Sequence, residues 1–306
     1  MESWRRHPLV FWLINLPPTL WLIVFFLVPL SIIWAFSFGE KVGVVGIDIN
    51  WTLDNYIRAF DPLYLEIFTK SFWFAAVTTF ICLVIGFPIA IFITFAPARW
   101  RPILLLLIIL PFWTNLLIRT YALIAVLRIR GYVNFTLEWF WEQANWILSL
   151  VGLGGYHLLG ESFQPVEILY NNFAVVVGLV YVHLPFMVLP LYAALDRMDK
   201  SYIEASLDLG AGQIRTFAKI TVPLAKAGII SGLIITFIPA LGSFLTPDLL
   251  GGTDSQMIAN VIERQFKSAN DWPFGAALSF ILMYITFFAL AIRAVMAKGT
   301  SAMEAA

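Results

Sequence analysis

Long apolar runs alternate with short polar ones along most of this 306-residue chain. Six runs, 16–38, 71–95, 103–127, 173–195, 227–247 and 274–297, contain no Asp or Glu, and their only strong cations are Arg119 and Arg293. A helix rising about 1.5 Å per residue needs roughly 20 apolar residues to cross about 30 Å of hydrocarbon. The pattern therefore predicts an all-α polytopic membrane protein with six transmembrane helices in a single domain, 1–306. The first run follows Arg5 and Arg6 but exceeds the 7–15 residues of a signal-peptide core, and no convincing small-residue cleavage site follows it. A retained helix is expected. Between the spans, 132–150 combines Glu138, Glu142, Gln143 and Asn145 with Trp139, Phe140, Trp141 and Trp146. That mixture suits an amphipathic element at the outer interface, where aromatic rings collect, or one packed on a partner subunit.

Composition supports the membrane reading. Hydrophobic residues make up 60% and charged ones 12%, with mean hydropathy +0.85, where a soluble domain has about 25% charged residues. Nineteen cations balance nineteen acids, which excludes a simple nucleic-acid binder. The balance is a cancellation between two faces. With six spans, both termini, 96–102 and 196–226 share one side, which holds eleven cations against six acids, a net +5. The other side is −5, counting Arg119 with it. The positive-inside rule places the basic side, and so both termini, in the cytoplasm.

Several chemistries are absent. No G-x-x-x-x-G-K-[ST] sequence occurs, so the chain does not itself cradle ATP. The single cysteine, Cys82, rules out a disulfide framework and a Cys-based zinc site, and reads as a small apolar residue inside a span. His7, His157 and His183 are far apart, and there is no H-E-x-x-H; His183 either lines a polar path or packs with a hydrogen bond. Gly152-Leu153-Gly154-Gly155 is too irregular for a phosphate loop and reads as a flexible connection. No catalytic or metal-binding residues are expected.

The cytoplasmic loop 196–226 carries the sharpest signal. Ser201 and Glu204 form S-x-x-E, a capping-box spacing. Gly210 can take the left-handed conformation that ends a helix. A second helix from about Gly212 presents Arg215 and Lys219 four residues apart, and Pro223 sets the approach to the membrane. Taken singly, Glu204 is a cap and Gly210 a helix stop. Together, Glu204-Ala205-Ser206, Gly210 and Ile220-Thr221-Val222-Pro223 resemble the EAA loop of ABC-importer permeases: E-A-A, three residues, Gly, nine residues, I-x-L-P. Ser206 and Val222 are the departures.

That resemblance implies a type I ABC importer (MetI-like) permease fold. It also implies coupling helices that dock in a groove of a separate ATPase dimer, which binds ATP and Mg, so that the chain is not itself an enzyme. A second homologous permease and an extracytoplasmic solute-binding protein are the other implied partners. Glu204, Ala205, Ser206, Gly210 and Arg215 become the expected coupling residues. Further motifs are similar to the PotB-type permeases of spermidine/putrescine importers: Pro111-Phe112-Trp113-Thr114-Asn115, Leu184-Pro185-Phe186-Met187, Leu249-Leu250-Gly251-Gly252 and Asp271-Trp272-Pro273-Phe274-Gly275. The 149–165 region is longer than that pattern. An importer of another small solute, or a stand-alone ion-coupled carrier or channel, are the alternatives.

A multicationic cargo needs carboxylates or carbonyl dipoles together with aromatic faces. Asp248 directly follows the fifth span, with Asp254, Glu263 and Asp271 in the same outer loop. Trp113, Tyr181 and Phe244 supply aromatic walls. Pro111 lies about 12 Å, and Pro239 about 18 Å, into their spans from the cytoplasmic side. There they act either as broken-helix path elements or as plain kinks. Phe112, Asn115, Gly242 and Ser243 join the expected path on that basis. Arg119 is expected to be structural, in an ion pair, for which Asp248 is one candidate partner, or on a backbone carbonyl; Asp248 is otherwise a substrate-facing acid.

Overall fold

The computed structural model describes residues 8–44, 46–150 and 162–303, and these are predominantly helical. The stretch 152–155 and His7 and His157 lie outside them. The chain forms two compact units, Ile67–Asn260 and Met1–Glu66 with Val261–Ala306.

In the unit 67–260, helix α4 (Pro62–Phe95), of which residues from 67 onward belong here, packs with α8 (Asn172–Asp196) and α12 (Lys226–Leu241). Cys82, Phe87, Ala90 and Ile93 of α4 meet Met187, Val188, Leu191 and Leu195 of α8 in one buried cluster. Lipid tails are as apolar as these side chains, so association must come from close packing rather than from water exclusion. The sequence supplies this as Gly228-x-x-x-Gly232 on α12. A Cβ at Gly228 would stand 2.8 Å from the Pro190 carbonyl oxygen, and one at Gly232 2.7 Å from the Met187 sulfur. Helix α8 begins where Asn171 accepts a bond from the Ala174 amide at 2.9 Å, satisfying an end donor that has no helical partner.

Two of the six apolar runs are interrupted by non-helical residues. The third comprises α5 (Arg101–Ile109), a 3₁₀ turn (Leu110–Trp113) and α6 (Leu116–Leu127), and the axis turns by 96° between 101–113 and the helical stretch 116–150. Pro111 has no amide hydrogen to return to the Leu107 carbonyl, which weakens the helix there. Thr114 is extended, and the Asn115 side chain accepts from Leu117 N at 2.8 Å to start the next helix. The fifth run ends as a helix at Leu241; Pro247 lies instead in the short α13 (Leu245–Leu250). Segment 132–150 is one helix, α7 (Tyr132–Leu150), with Trp139, Phe140 and Trp146 exposed.

The other unit holds α1 (Pro8–Leu22), a π-helical turn (Ile23–Leu27), α2 (Val28–Phe36) and a hairpin of β1 (Glu40–Val42) with β2 (Gly46–Asp48). The short α3 (Asp54–Ala59), α14 (Ile258–Lys267), of which residues from 261 onward belong here, and α15 (Trp272–Met303) complete it. Arg58 Nη1 donates to Asp271 Oδ2 at 2.8 Å while its guanidinium lies 3.9 Å over the buried Phe274 ring. Asp271 also accepts from Phe274 N, capping α15. Lys41 Nζ donates to the Ala269 carbonyl at 2.6 Å, which fastens the hairpin beside the same corner.

Candidate functional site

Two places concentrate the expected site residues: the loop between α8 and α12, and the broken helices of the path. In the loop, α9 (Ser201–Asp208) and α10 (Gln213–Thr216) are the two expected helices. The turn between them depends on backbone geometry. Gly210 has φ +81°, its amide bonds to Leu207 O at 2.9 Å, and Ala211 N reaches back to Ser206 O at 3.1 Å. This double return satisfies carbonyls that a helix end leaves unpaired. Ser206 Oγ lies 2.9 Å from Thr216 Oγ1, tying the two helices together, so the departure from Ala at this position adds a hydrogen bond.

The capping box is not formed. Ser201 is already the first helical residue, and the N-terminal bond comes from Asp199, whose Oδ1 accepts from Ser201 N at 3.0 Å. That bond, with a second from the Ser201 side chain, holds the exposed Asp199 carboxyl below its ordinary range. The D-x-S spacing was the signal for it. Glu204, Ala205 and Arg215 are exposed, as are Leu209 at 89% and Ile214 at 86%. Beyond α10 a π-helical turn (Phe217–Thr221) carries Phe217 against Phe87 of α4, 5.3 Å between ring centres. Two further contacts anchor the start of the loop: Arg101 Nη1 to Asp196 at 3.1 Å, and Lys200 Nζ 5.2 Å from the Phe95 ring.

Along the path the structure gathers a different set from the one expected. Phe112, on the 3₁₀ turn, stands edge-on to Phe186 with ring centres 4.9 Å apart, and Arg119 lies 5.7 Å from the Phe112 ring. Arg119 thus rests against an aromatic face, and its Nε has no hydrogen-bond partner among the described residues. Buried His183 shares Leu179 O at 2.8 Å and contacts the Pro239 backbone, which favours packing over a polar path. Phe186 stood in the Leu184–Met187 motif but was not among the expected path residues. Pro239 does not interrupt α12, because Gly242 N still reaches Ile238 O at 3.2 Å and the helix stops just beyond.

The remaining path residues fall in three places. Trp113 is 76% exposed beside the capping Asn115. Tyr181 is exposed on α8. Gly242, Ser243 and Phe244 make the connection between α12 and α13, where Asn260 Nδ2 donates to Phe244 O at 2.8 Å and exposed Asp248 sits in the first turn of α13. Of the other outer acids, Asp271 is taken by Arg58 and by the cap, and Glu263 pairs with Lys267 at 2.7 Å. Both acids are therefore engaged within the chain.

The profile of a family described as "Binding-protein-dependent transport system inner membrane component" matches residues 7–301. The spermidine/putrescine transport system permease protein PotB of Escherichia coli K12 is 41% identical over 265 residues, covering 87% of this chain and 90% of that protein. Its counterpart in Haemophilus influenzae is 37% identical over 271 residues, covering 88% of each. In fold, the chain is similar to a chain of a bacterial ABC transporter crystal structure involved in import of the acidic polysaccharide alginate. The TM-score is 0.67 at 15% identity, covering 95% of this chain and 96% of that one.

Proposed function

As the chain belongs to the family of binding-protein-dependent transport system inner membrane components, we propose that it is the permease subunit of an ATP-driven importer of spermidine and putrescine. The likeness over 87% of its length to a spermidine/putrescine permease carries the cargo. The coupling loop supports the energy source: a two-helix element turned at Gly210 offers Leu209 and Ile214, nearly bare, to a partner. Two copies of a separate ATPase, holding ATP and Mg, receive that element through Glu204, Ala205, Ser206, Gly210 and Arg215. A second permease completes the path, and an external solute-binding protein delivers cargo. Both termini and the loop face the cytoplasm, as the distribution of Lys and Arg requires.

In this reading the break at Thr114–Asn115 and the Gly242–Phe244 connection mark the path. Aromatic faces of Phe112, Trp113, Tyr181 and Phe244 and the carboxylate of Asp248 meet the polycation weakly enough to release it. Arg119 is a wall group, since its charge repels the cargo. Vesicles containing the assembled complex, with ATP inside and the binding protein outside, should accumulate labelled spermidine and putrescine. Accumulation with ADP and an ion gradient alone would contradict ATP drive. ATP-dependent accumulation of other solutes without polyamines would contradict the cargo.

A further inference from the structure

We propose that Arg128 and Arg130, at the outer end of α6, form with Ile129, Glu167 and Tyr170 a prebuilt docking pocket for carboxylates on the solute-binding protein. The inference rests on the importer reading above and assigns the delivering partner a place on this chain. These residues line a cavity of about 710 Å³.

Both walls are held by bonds that do not depend on the pocket's contents. On one side, the chain leaves α6 through a turn closed by Gly131 N to Arg128 O at 2.7 Å, and a Cβ at Gly131 would stand 2.7 Å from that same oxygen. On the other, buried Asn134 bonds twice to Val166, through Nδ2 to O at 3.0 Å and Oδ1 from N at 2.8 Å. Tyr170 has φ +61°, uncommon for a residue with a side chain, and its amide donates to Leu250 O at 3.0 Å. A bulky residue kept in that conformation, with 63% of its surface exposed, is a fixed anchor ready for a partner.

Charge identifies the partner. The outer side of the chain carries net −5, whereas this pocket sets two guanidiniums against one carboxylate. A polycation has no reason to enter it. The complement of two guanidiniums is a carboxylate-bearing protein surface, and the external protein that delivers cargo is the partner that meets this side. Tyr and Arg around an exposed apolar residue, here Ile129, form the composition that dominates protein–protein binding energy. Glu167 in the same wall opposes a lipid phosphate and suits a protein surface of mixed charge.

The test uses the complete transporter in lipid nanodiscs, titrated with its own solute-binding protein while ATP hydrolysis is followed. R128E/R130E should raise the half-saturating concentration about tenfold or more and leave the maximal rate nearly unchanged. R128K/R130K should stay close to wild type. Added salt should weaken wild-type docking and strengthen that of the reversed pair, because it screens attraction in the one and repulsion in the other. Unchanged half-saturation in R128E/R130E overturns the proposal. So does a shift reproduced simply by omitting anionic lipid, which would make the pocket a phosphate-headgroup site. If the reversed pair fails to assemble, the same titration of R128Q/R130Q decides, with unchanged half-saturation overturning the proposal. Uptake of labelled spermidine by wild type, run in parallel, fails alone if only the cargo is wrong, because the titration reads hydrolysis and not cargo.

Discussion

Replacing Gly210 separates backbone geometry from surface contact at the coupling loop. Its φ of +81° lies in the left-handed region, and a Cβ built there meets nothing within 4 Å. A side chain therefore costs backbone strain and nothing else within this chain. That strain is about 1–2 kcal/mol for an ordinary residue and less for Asn, which visits this region more readily. Escaping it means opening the turn and losing the bonds Gly210 N to Leu207 O and Ala211 N to Ser206 O, each worth about 1 kcal/mol net. By either route the docking-competent loop becomes roughly tenfold rarer in G210V. The assay is spermidine taken up per ATP hydrolysed in reconstituted vesicles. Coupling should fall in the order G210N, G210A, G210V, with G210N nearest wild type. If G210N is as damaging as G210V, the requirement is a close contact with the ATPase and not the turn. If all three match wild type, Gly210 has no coupling role.

Three further outcomes follow from the packing and the charges. G228A and G232A should each destabilise the helical unit by about 1–3 kcal/mol, the cost of overpacking a close contact. G228A should be the harder to absorb, because backbone oxygen blocks it while Met187 can move at Gly232; thermal unfolding in detergent reads the difference. D248N should raise the half-saturating polyamine concentration about two- to fivefold, as loss of a partly exposed charge contact of about 0.5–1 kcal/mol would, whereas D271N, which keeps the cap, should leave it unchanged; the reverse pattern would move the cargo acid to α15. Asp199 titrates below its ordinary 3.8, so its cap is fully present above that value and is lost only as pH falls through the still lower folded value. Coupling should therefore show no Asp199-dependent change from about pH 5 to 8, while D199A, lacking the cap at every pH, should weaken coupling across that whole range.

Much of the fold was legible because lipid imposes a one-dimensional rule: a run long enough to span is visible residue by residue. The coupling loop was legible because Gly210 and its spacing to Glu204 and Pro223 are local. What escaped depends on three-dimensional partners. Run 103–127 is apolar throughout, so its break shows only in Pro111 and the polar pair Thr114-Asn115. In the loop, S-x-x-E concealed the earlier Asp199 cap, since both spacings satisfy a helix start and only the position of the first turn decides. Asp271 looked like an outer acid until Arg58, 213 residues away in sequence, occupied it. Arg119 was expected on an acid or a carbonyl, and the ring of Phe112 beside it depends on the turn at Pro111.

The most direct test measures uptake and hydrolysis together in vesicles holding the complete transporter, against a panel of unlabelled competitors. The account predicts that labelled spermidine enters only while ATP is consumed, and that putrescine and spermidine alone compete. Uptake that continues without ATP hydrolysis, or that polyamines fail to compete for, would contradict it.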